Sequence, residues 1–175
     1  METVEIVGMA LKRIEESLGK ALEDLSDEEL HRQPRSDCNS IAWLAWHLTR
    51  VQDHHLSDLA GLAQAWTGDG WHAKFSMDPD PENAGWGHTP EQVASFRVPN
   101  AGILHEYYCA VLNRSRTYLI GLQSGELERV LNEPQWNETV TVGIRLVSVM
   151  NDNTEHMGQI NYLRGLFGGM GWRHR

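Results

Sequence analysis

Cysteine is scarce in this chain, and its scarcity excludes one class of small protein. Cys38 and Cys109 are the only two cysteines among 175 residues, and no CxxC motif occurs. Two thiols cannot hold a disulfide scaffold together, so the sequence predicts a cytoplasmic protein in a reducing compartment. The N-terminal stretch carries acidic residues in a helical pattern, which is not the form of a secretory signal peptide.

Positive charge and long apolar runs are also in short supply. Lys and Arg number 15 against 24 Asp and Glu, which gives a formal net charge of −9. An acidic chain with no basic stripe is not expected to bind nucleic acid or an anionic membrane. No apolar run approaches the length of a membrane span. With 41% hydrophobic residues, the chain has the composition of one globular domain over residues 1–175.

Strand-like alternation is nearly absent, and the dominant pattern is helical. Apolar residues recur at three- and four-residue steps in four long segments, at about 3–25, 40–62, 101–122 and 142–167. Four amphipathic helices around one core predict an all-α fold, a four-helix bundle. The last helix is expected to end at Gly168-Gly169, and residues 168–175 are expected to form a frayed tail.

Capping residues predict additional short helices between the long ones. Ser26 with Glu29 has the spacing of a capping box, and Thr89 with Gln92 has the same spacing around a proline at the first helical position. Thr141 is the expected cap of the last long helix.

Residues 66–88 interrupt this regularity as a Trp- and Gly-rich crossover. The stretch holds Trp66, Trp71 and Trp86 together with glycines and prolines. Irregular loops of this length are uncommon inside compact domains unless they are functional. The segment is therefore either a surface loop held by its tryptophans or a wall or lid over a pocket, in which Trp71 is the candidate substrate-binding side chain.

The last long helix carries metal-ligand residue types at a metal-ligand spacing. Asp152 and His156 are four residues apart, so their side chains converge on one point. Arg145 and Gln159 lie on the same helical face. The alternatives are an ordinary surface pair or an internal hydrogen-bond network.

The second long helix offers a third ligand. His47 and His54 lie on one shoulder of its apolar stripe, two turns or about 10.5 Å apart along the axis. That distance is too long for both to bind one ion easily. His47 is favoured as the ligand because it lies in the apolar turn AWLAWHL, where an unpartnered imidazole would be costly. His54 then remains as a candidate catalytic group.

These two segments resemble a known group of proteins. SIAWLAWHLTRVQDHH (residues 40–55) and MNDNTEHMGQINYLRGL (residues 150–166) are similar to the two signature helices of the DinB/YfiT superfamily. That superfamily includes the N-terminal domain of mycothiol-dependent maleylpyruvate isomerase and the bacillithiol and mycothiol S-transferases. The resemblance covers essentially the whole chain and is closest to the small mycothiol S-transferases.

The resemblance implies a DinB-like bundle that binds one divalent metal and forms a homodimer. The family's ligand on the second helix maps onto His47, and its ligand pair on the last helix maps onto Asp152 and His156. The commonest family version is His-x-x-x-His, so Asp152 is a departure, although the isomerase branch has a carboxylate there. Glu155 is the alternative ligand if the helical register differs.

Two histidines and one carboxylate leave a metal position open, which is typical of catalytic zinc. Zinc would stabilise a bound thiolate for attack on an electrophile, and nickel, manganese or iron would fit the same ligands. The predicted function is a metal-dependent S-transferase that joins a small thiol, by resemblance mycothiol, to an electrophile in detoxification. Arg145 is expected to pair with Asp152 or to bind an anionic group, His54 to relay the thiol proton, and Gln159 to orient a ligand or the substrate.

Three other functions suit the same residues. A non-catalytic, stress-associated metal-binding dimer needs only the ligands. A metal-dependent hydrolase would use bound hydroxide in place of thiolate. Non-haem Fe(II) oxygenases also use two histidines and a carboxylate, and we rank that chemistry lowest.

Overall fold

The predicted bundle of four long helices is confirmed. A computed structural model describes residues 3–123, 125–133 and 138–174, with main chain alone at residue 174. Its long helices are α1, α3, α7 and α8, and its short helices are α2, α4, α5 and α6. Their bounds in chain order are α1 Thr3–Leu22, α2 Asp27–His31, α3 Ile41–Ala60, α4 Ala65–Gly68, α5 Trp71–Lys74, α6 Pro90–Ser95, α7 Ala101–Gly121 and α8 Val142–Gly168.

The long helices enclose one apolar core. Helices α3 and α1 each pack against both α7 and α8. The core is filled by side chains from all four helices, among them Leu11, Leu18, Leu44, Leu48, Leu104, Tyr107, Val111, Val149 and Ile160. Within the described ranges the structure has no strand, and an isolated bridge joins Val130 to Thr141. No described helix has the length and apolar character that crossing a bilayer requires.

Side-chain caps fix the helix starts as the sequence predicted. Ser26 and Thr89 each accept a hydrogen bond from the third helical residue, whose side chain bonds back to the cap. Thr141 caps α8 through the same side-chain bond, as predicted, and the structure adds Ser40 as the cap of α3. These local bonds set where α3 and α8 begin, and therefore which residues of the two helices lie opposite each other.

Residues 66–88 contain more helix than expected and are well anchored. The short helices α4 and α5 occupy the first part of the segment. Asp53 holds the start of α4, because its carboxylate accepts hydrogen bonds from the main-chain N–H groups of Ala65 and Trp66 at 2.8 Å and from the Tyr107 hydroxyl at 2.7 Å. The carboxylate thus takes the place of a capping side chain.

Arg50 holds the second part of the crossover. Its fully buried guanidinium donates to the carbonyl oxygens of Asn83 at 3.1 Å and Pro81 at 2.9 Å, and to Oε1 of Gln64 at 2.8 Å. The same group lies 4.6 Å above the centre of the Trp66 ring. A loop with little regular structure is therefore fixed to α3 by a buried cation.

The end of the chain is also more ordered than the sequence indicated. Residues Met170–His174 form a 3₁₀ helix after α8. The Trp172 ring is partly buried against the core, and the Arg164 guanidinium lies 5.5 Å from its centre. Another 3₁₀ helix, over Glu126–Glu128, lies between α7 and α8.

Replacing Arg50 by Met tests this anchor. We expect a loss of about 3–5 kcal/mol in the free energy of unfolding, because the carbonyl groups and Asp53 lose a buried cation. Urea unfolding followed by circular dichroism measures it. The matched control is Arg116→Met on the exposed face of α7, where a change within about 0.5 kcal/mol is expected. Equal losses in the two variants would contradict the anchoring role.

Candidate metal centre

The structure brings the three predicted ligands together between α3 and α8. One ligand atom from each of His47, Asp152 and His156 lies within 4.8 Å of the others. Oδ1 of Asp152 is 3.5 Å from Nε2 of His156 and 4.0 Å from Nε2 of His47. Glu155, the alternative ligand, is exposed and accepts a hydrogen bond from Asn151 at 2.8 Å. The helical register in the structure is therefore the one that places Asp152, and not Glu155, beside the two histidines.

Both imidazoles are held with Nε2 directed at the carboxylate. Nδ1 of His47 donates to the carbonyl oxygen of Ala84, and Nδ1 of His156 donates to Oε1 of Gln159 at 2.9 Å. With the proton on Nδ1, each neutral ring keeps a free lone pair on Nε2. Such outer partners set the tautomer and ring orientation of metal-binding histidines. Gln159 thus has the geometry of a ligand-orienting group.

Asp152 fits a cation at this point. Its Oδ2 is buried and has no hydrogen-bond partner among the residues that the structure describes. An unpaired buried carboxylate oxygen costs about 1–3 kcal/mol or more. The two imidazole Nε2 atoms converge on the other oxygen, Oδ1, and a divalent metal ion bound there would satisfy the carboxylate and both lone pairs. The donor set and the unpartnered oxygen both fit a bound metal.

The two imidazoles of the centre differ in how strongly they hold a proton. Burial lowers the pKa of His47 and outweighs the opposing effects of the Ala84 carbonyl and Asp152. Burial acts in the same direction on His156, but hydrogen bonds to Asp152 and Gln159 outweigh it and raise the pKa of that ring. Without a metal, burial thus favours the neutral form of His47, while the hydrogen bonds favour the protonated form of His156.

Gly85 lets the crossover approach His47 closely. This residue has a φ of 95°, and a Cβ placed on it would lie 2.9 Å from the rings of Trp43 and Trp46 and 3.1 Å from Nδ1 of His47. The Trp43 ring stacks on His47 with centroids 4.6 Å apart. Only glycine allows this close packing, which brings the Ala84 carbonyl within bonding distance of the imidazole.

His54 lies beyond the triad with its tautomer set by neighbours. Arg50 can only donate, so its bond to Oε1 fixes the orientation of the Gln64 amide. The Gln64 amide nitrogen then donates to Nδ1 of His54 at 3.1 Å, which leaves the His54 proton on Nε2. His54 and His47 both contact the Trp86 ring, at centroid distances of 5.9 and 6.2 Å.

Arg145 does not pair with Asp152, one of the two contacts expected for it. Its guanidinium forms an ion pair with Glu133 and donates to Nε2 of His55 at 3.3 Å. Arg145 and Asp152 are seven positions apart, which is two helical turns or about 10.5 Å, so a shared face does not bring them into contact. Burial and the charges of Arg145 and His54 lower the pKa of His55 to about 3.

Trp86 is the crossover tryptophan that reaches the site. Its ring is 54% exposed and contacts His47, His54 and His55. Trp71 instead is buried, with its ring 5.2 Å from that of Tyr107, and no ring contact joins it to the triad in the described part of the chain. Both tryptophans stand out in the sequence of the crossover, and only the path of the folded loop shows which of them reaches the site. His55, Glu133 and the Ala84 carbonyl carried no sequence signal of their own.

Replacing Gly85 by Ala tests the coupling of crossover and centre. The added methyl group would push the Ala84 carbonyl away from His47, so we expect zinc affinity to fall about 10-fold or more in competition with a chelator. Gly87→Ala is the matched control, because Gly87 also has a positive φ, 74°, but its Cβ would meet nothing within 4 Å. Equal zinc affinity in Gly85→Ala and Gly87→Ala would show that the position of the crossover does not control metal binding.

Comparisons with known proteins agree with this fold. A family model described as mycothiol S-transferase matches residues 7–169. The chain is similar to a solved structure from Enterococcus faecalis, titled as a conserved protein, with 30% identity and a TM-score of 0.87. The match covers 97% of this chain and 99% of that one. No curated protein matches. The resemblance seen in the sequence is confirmed, and the chain belongs to the mycothiol S-transferase family.

Proposed function

We propose that this protein is a metal-dependent S-transferase that joins mycothiol to electrophiles in detoxification. The observation that carries the proposal is the convergence of two Nε2 lone pairs on the carboxylate of Asp152, whose second oxygen is buried without a partner. The family supports a small thiol as cosubstrate. Because the ligand set is two histidines and one carboxylate, it leaves a coordination position for that thiol.

Zinc suits the proposed ligands best, and nickel, manganese or iron are the other candidates. Bound there, the metal would supply Lewis acidity that keeps a thiol deprotonated near neutral pH. In the transfer, the thiolate sulfur forms a bond to an electrophilic carbon, and the leaving group departs with the bonding electron pair. The thiol proton passes to solvent.

The chain's own residues hold the ligands and border the thiol. Ala84 and Gln159 keep the imidazoles of His47 and His156 in their metal-binding tautomer. Trp86 forms an apolar wall beside the centre, and its partial exposure leaves one side open to substrate. We assign it the substrate-contacting role predicted for Trp71, which is buried against Tyr107.

His54 is assigned to hydrogen bonding with substrate. Its Nδ1 already accepts from Gln64, so the available group is the Nε2–H donor. A relay of the thiol proton, the role predicted from the sequence, would require the Gln64 bond to break first. We therefore favour donation to the thiol cosubstrate or the electrophile.

Arg145 is assigned to positioning. Glu133 already balances its charge, and its bond to His55 supports the ring that packs on Trp86 at a centroid distance of 5.8 Å. Binding an anionic substrate group would require Arg145 to release Glu133. The structure thus favours a role in holding the His55–Trp86 wall.

Asp152→Asn tests the proposal with Glu155→Gln as its matched control. We expect the first variant to lose one metal equivalent per chain by elemental analysis and about 100-fold or more of the transfer rate. The control should keep both, because Glu155 lies outside the centre. The assay uses the purified protein, mycothiol and a bromobimane, with the thioether product measured by mass spectrometry.

Three outcomes would overturn the proposal. Full metal occupancy with no transfer to bromobimanes or epoxides would favour the non-catalytic metal-binding protein. Thiol-independent hydrolysis that Asp152→Asn abolishes would favour the hydrolase. Transfer unchanged in Asp152→Asn would place the reaction elsewhere.

We further propose a cytoplasmic homodimer. Both cysteines are free thiols, in keeping with a reducing compartment. Large apolar side chains are exposed on α8, including Val147 and Tyr162, which suits a face covered by a second copy. Sedimentation of the wild-type protein should give twice the chain mass, and Val147→Lys should shift it toward the monomer. A monomeric wild type at micromolar concentration would overturn the dimer.

A further inference from the structure

A second cluster of metal-ligand side chains lies between α1 and α7, on different helices from the triad. Glu15 projects from α1, and His105 and Cys109 are four residues apart on α7. Oε1 of Glu15 is 2.7 Å from Nε2 of His105, and Sγ of Cys109 is 3.7 Å from each of these two atoms. One carboxylate, one imidazole and one thiol therefore meet at a single point.

The two distances from sulfur agree with a tetrahedral zinc site. Zinc bonds of about 2.3 Å to sulfur and about 2.0 Å to nitrogen or oxygen place sulfur about 3.5 Å from the other ligand atoms. The structure gives 3.7 Å for both. The nitrogen and oxygen should then be about 3.3 Å apart, so the Glu15–His105 pair, now at 2.7 Å, would open slightly.

The surroundings leave room for the ring and access for an ion. A Cβ on Gly19, one turn after Glu15 on α1, would lie 3.0 Å from Nε2 of His105, so the glycine allows the ring to lie over α1. The side chain of His105 is 35% exposed and that of Glu15 is 12% exposed. Lys12 pairs with the second oxygen of Glu15 and leaves Oε1 to the cluster.

A nucleophilic Cys–His–Glu triad fits the same residues less well. The base of such a triad needs a free lone pair beside the thiol, but Nε2 of His105 is already bonded to Glu15 at 2.7 Å. The thiol donates to Oε1 of Glu15, and burial and this carboxylate raise the pKa of Cys109. The thiol is therefore held in its neutral form unless a cation joins the cluster.

We propose that Glu15, His105 and Cys109 form a second metal site, for a divalent ion of the zinc class, that links α1 to α7. Binding releases the thiol proton to solvent, and the imidazole proton moves to Nδ1 so that Nε2 can coordinate. Water completes the tetrahedral set. The bound ion cross-links the two helices and stabilises the folded chain by mass action.

Cobalt(II) binding to the full-length protein tests the proposal. A thiolate-to-cobalt band would report on this cluster and not on the triad, because the triad contains no cysteine. The metal-free protein is titrated with cobalt in a phosphine-reduced buffer, and the near-ultraviolet thiolate-to-cobalt charge-transfer band is followed. We expect the band in the wild type and its complete loss in Cys109→Ser. Cys38→Ser is the matched control and should keep the band, because Cys38 lies before α3, outside the cluster.

Two further variants separate this site from the triad and from misfolding. Asp152→Asn should keep the charge-transfer band, so its loss there would overturn an independent site. Glu15→Gln keeps the thiol and should weaken cobalt binding about 10-fold. Helical circular dichroism should be unchanged in Cys109→Ser. No band in the wild type, or a band that persists in Cys109→Ser, would overturn the proposal whether or not thiol transfer is found.

Discussion

The buried guanidinium of Arg50 is the group on which the candidate metal centre depends. Its bonds to the carbonyl oxygens of Pro81 and Asn83 fix the crossover just before Ala84, whose own carbonyl orients His47. Burying a cation is costly unless its donors are satisfied, and here the acceptors come from the loop itself. The charge therefore stabilises one loop path rather than the bundle in general. The same group orients Gln64 and, through it, His54.

The two imidazoles of the centre are held in place by their neighbours, whereas the carboxylate between them has an oxygen without a partner. Trp43, Ala84 and Gln159 restrict the two imidazoles from outside, so little reorganisation is needed when a cation binds. Inside, the unpartnered oxygen of Asp152 makes the metal-free state costly. A bound metal ion would therefore also stabilise the folded chain, because it would remove a cost that the metal-free fold bears. Hydrogen bonds to Asp152 and Gln159 raise the pKa of His156, so a proton on that ring can supply positive charge when no metal is bound.

Local rules predicted the parts of this protein that local chemistry determines. Helical periodicity and caps gave the four long helices to within a few residues, and the four-residue spacing paired Asp152 with His156. His47 was found because an imidazole in an apolar turn needs a partner. The loop path was not predictable, since it rests on Arg50 and on the positive φ of Gly85. For that reason the sequence could not separate Trp86 from Trp71. Nor could it show that Glu133 pairs with Arg145. His105 and Cys109 were not predicted as a site, because Glu15 meets them only through the packing of α1 on α7.

Both clusters arise from one geometry, in which two ligands one turn apart meet a third from a neighbouring helix. They differ in what holds the ligands before an ion arrives. At the triad, each imidazole donates from Nδ1 to an outside acceptor, and Nε2 is free. At the second cluster, Nε2 of His105 is bonded to Glu15, a ligand of the same set, so binding must break that bond and remove a thiol proton. Ligands that are already held in place bind an ion more tightly, so the triad should bind metal first. The α1–α7 cluster would respond only when more metal is present, which suits a stabilising link rather than a catalytic centre.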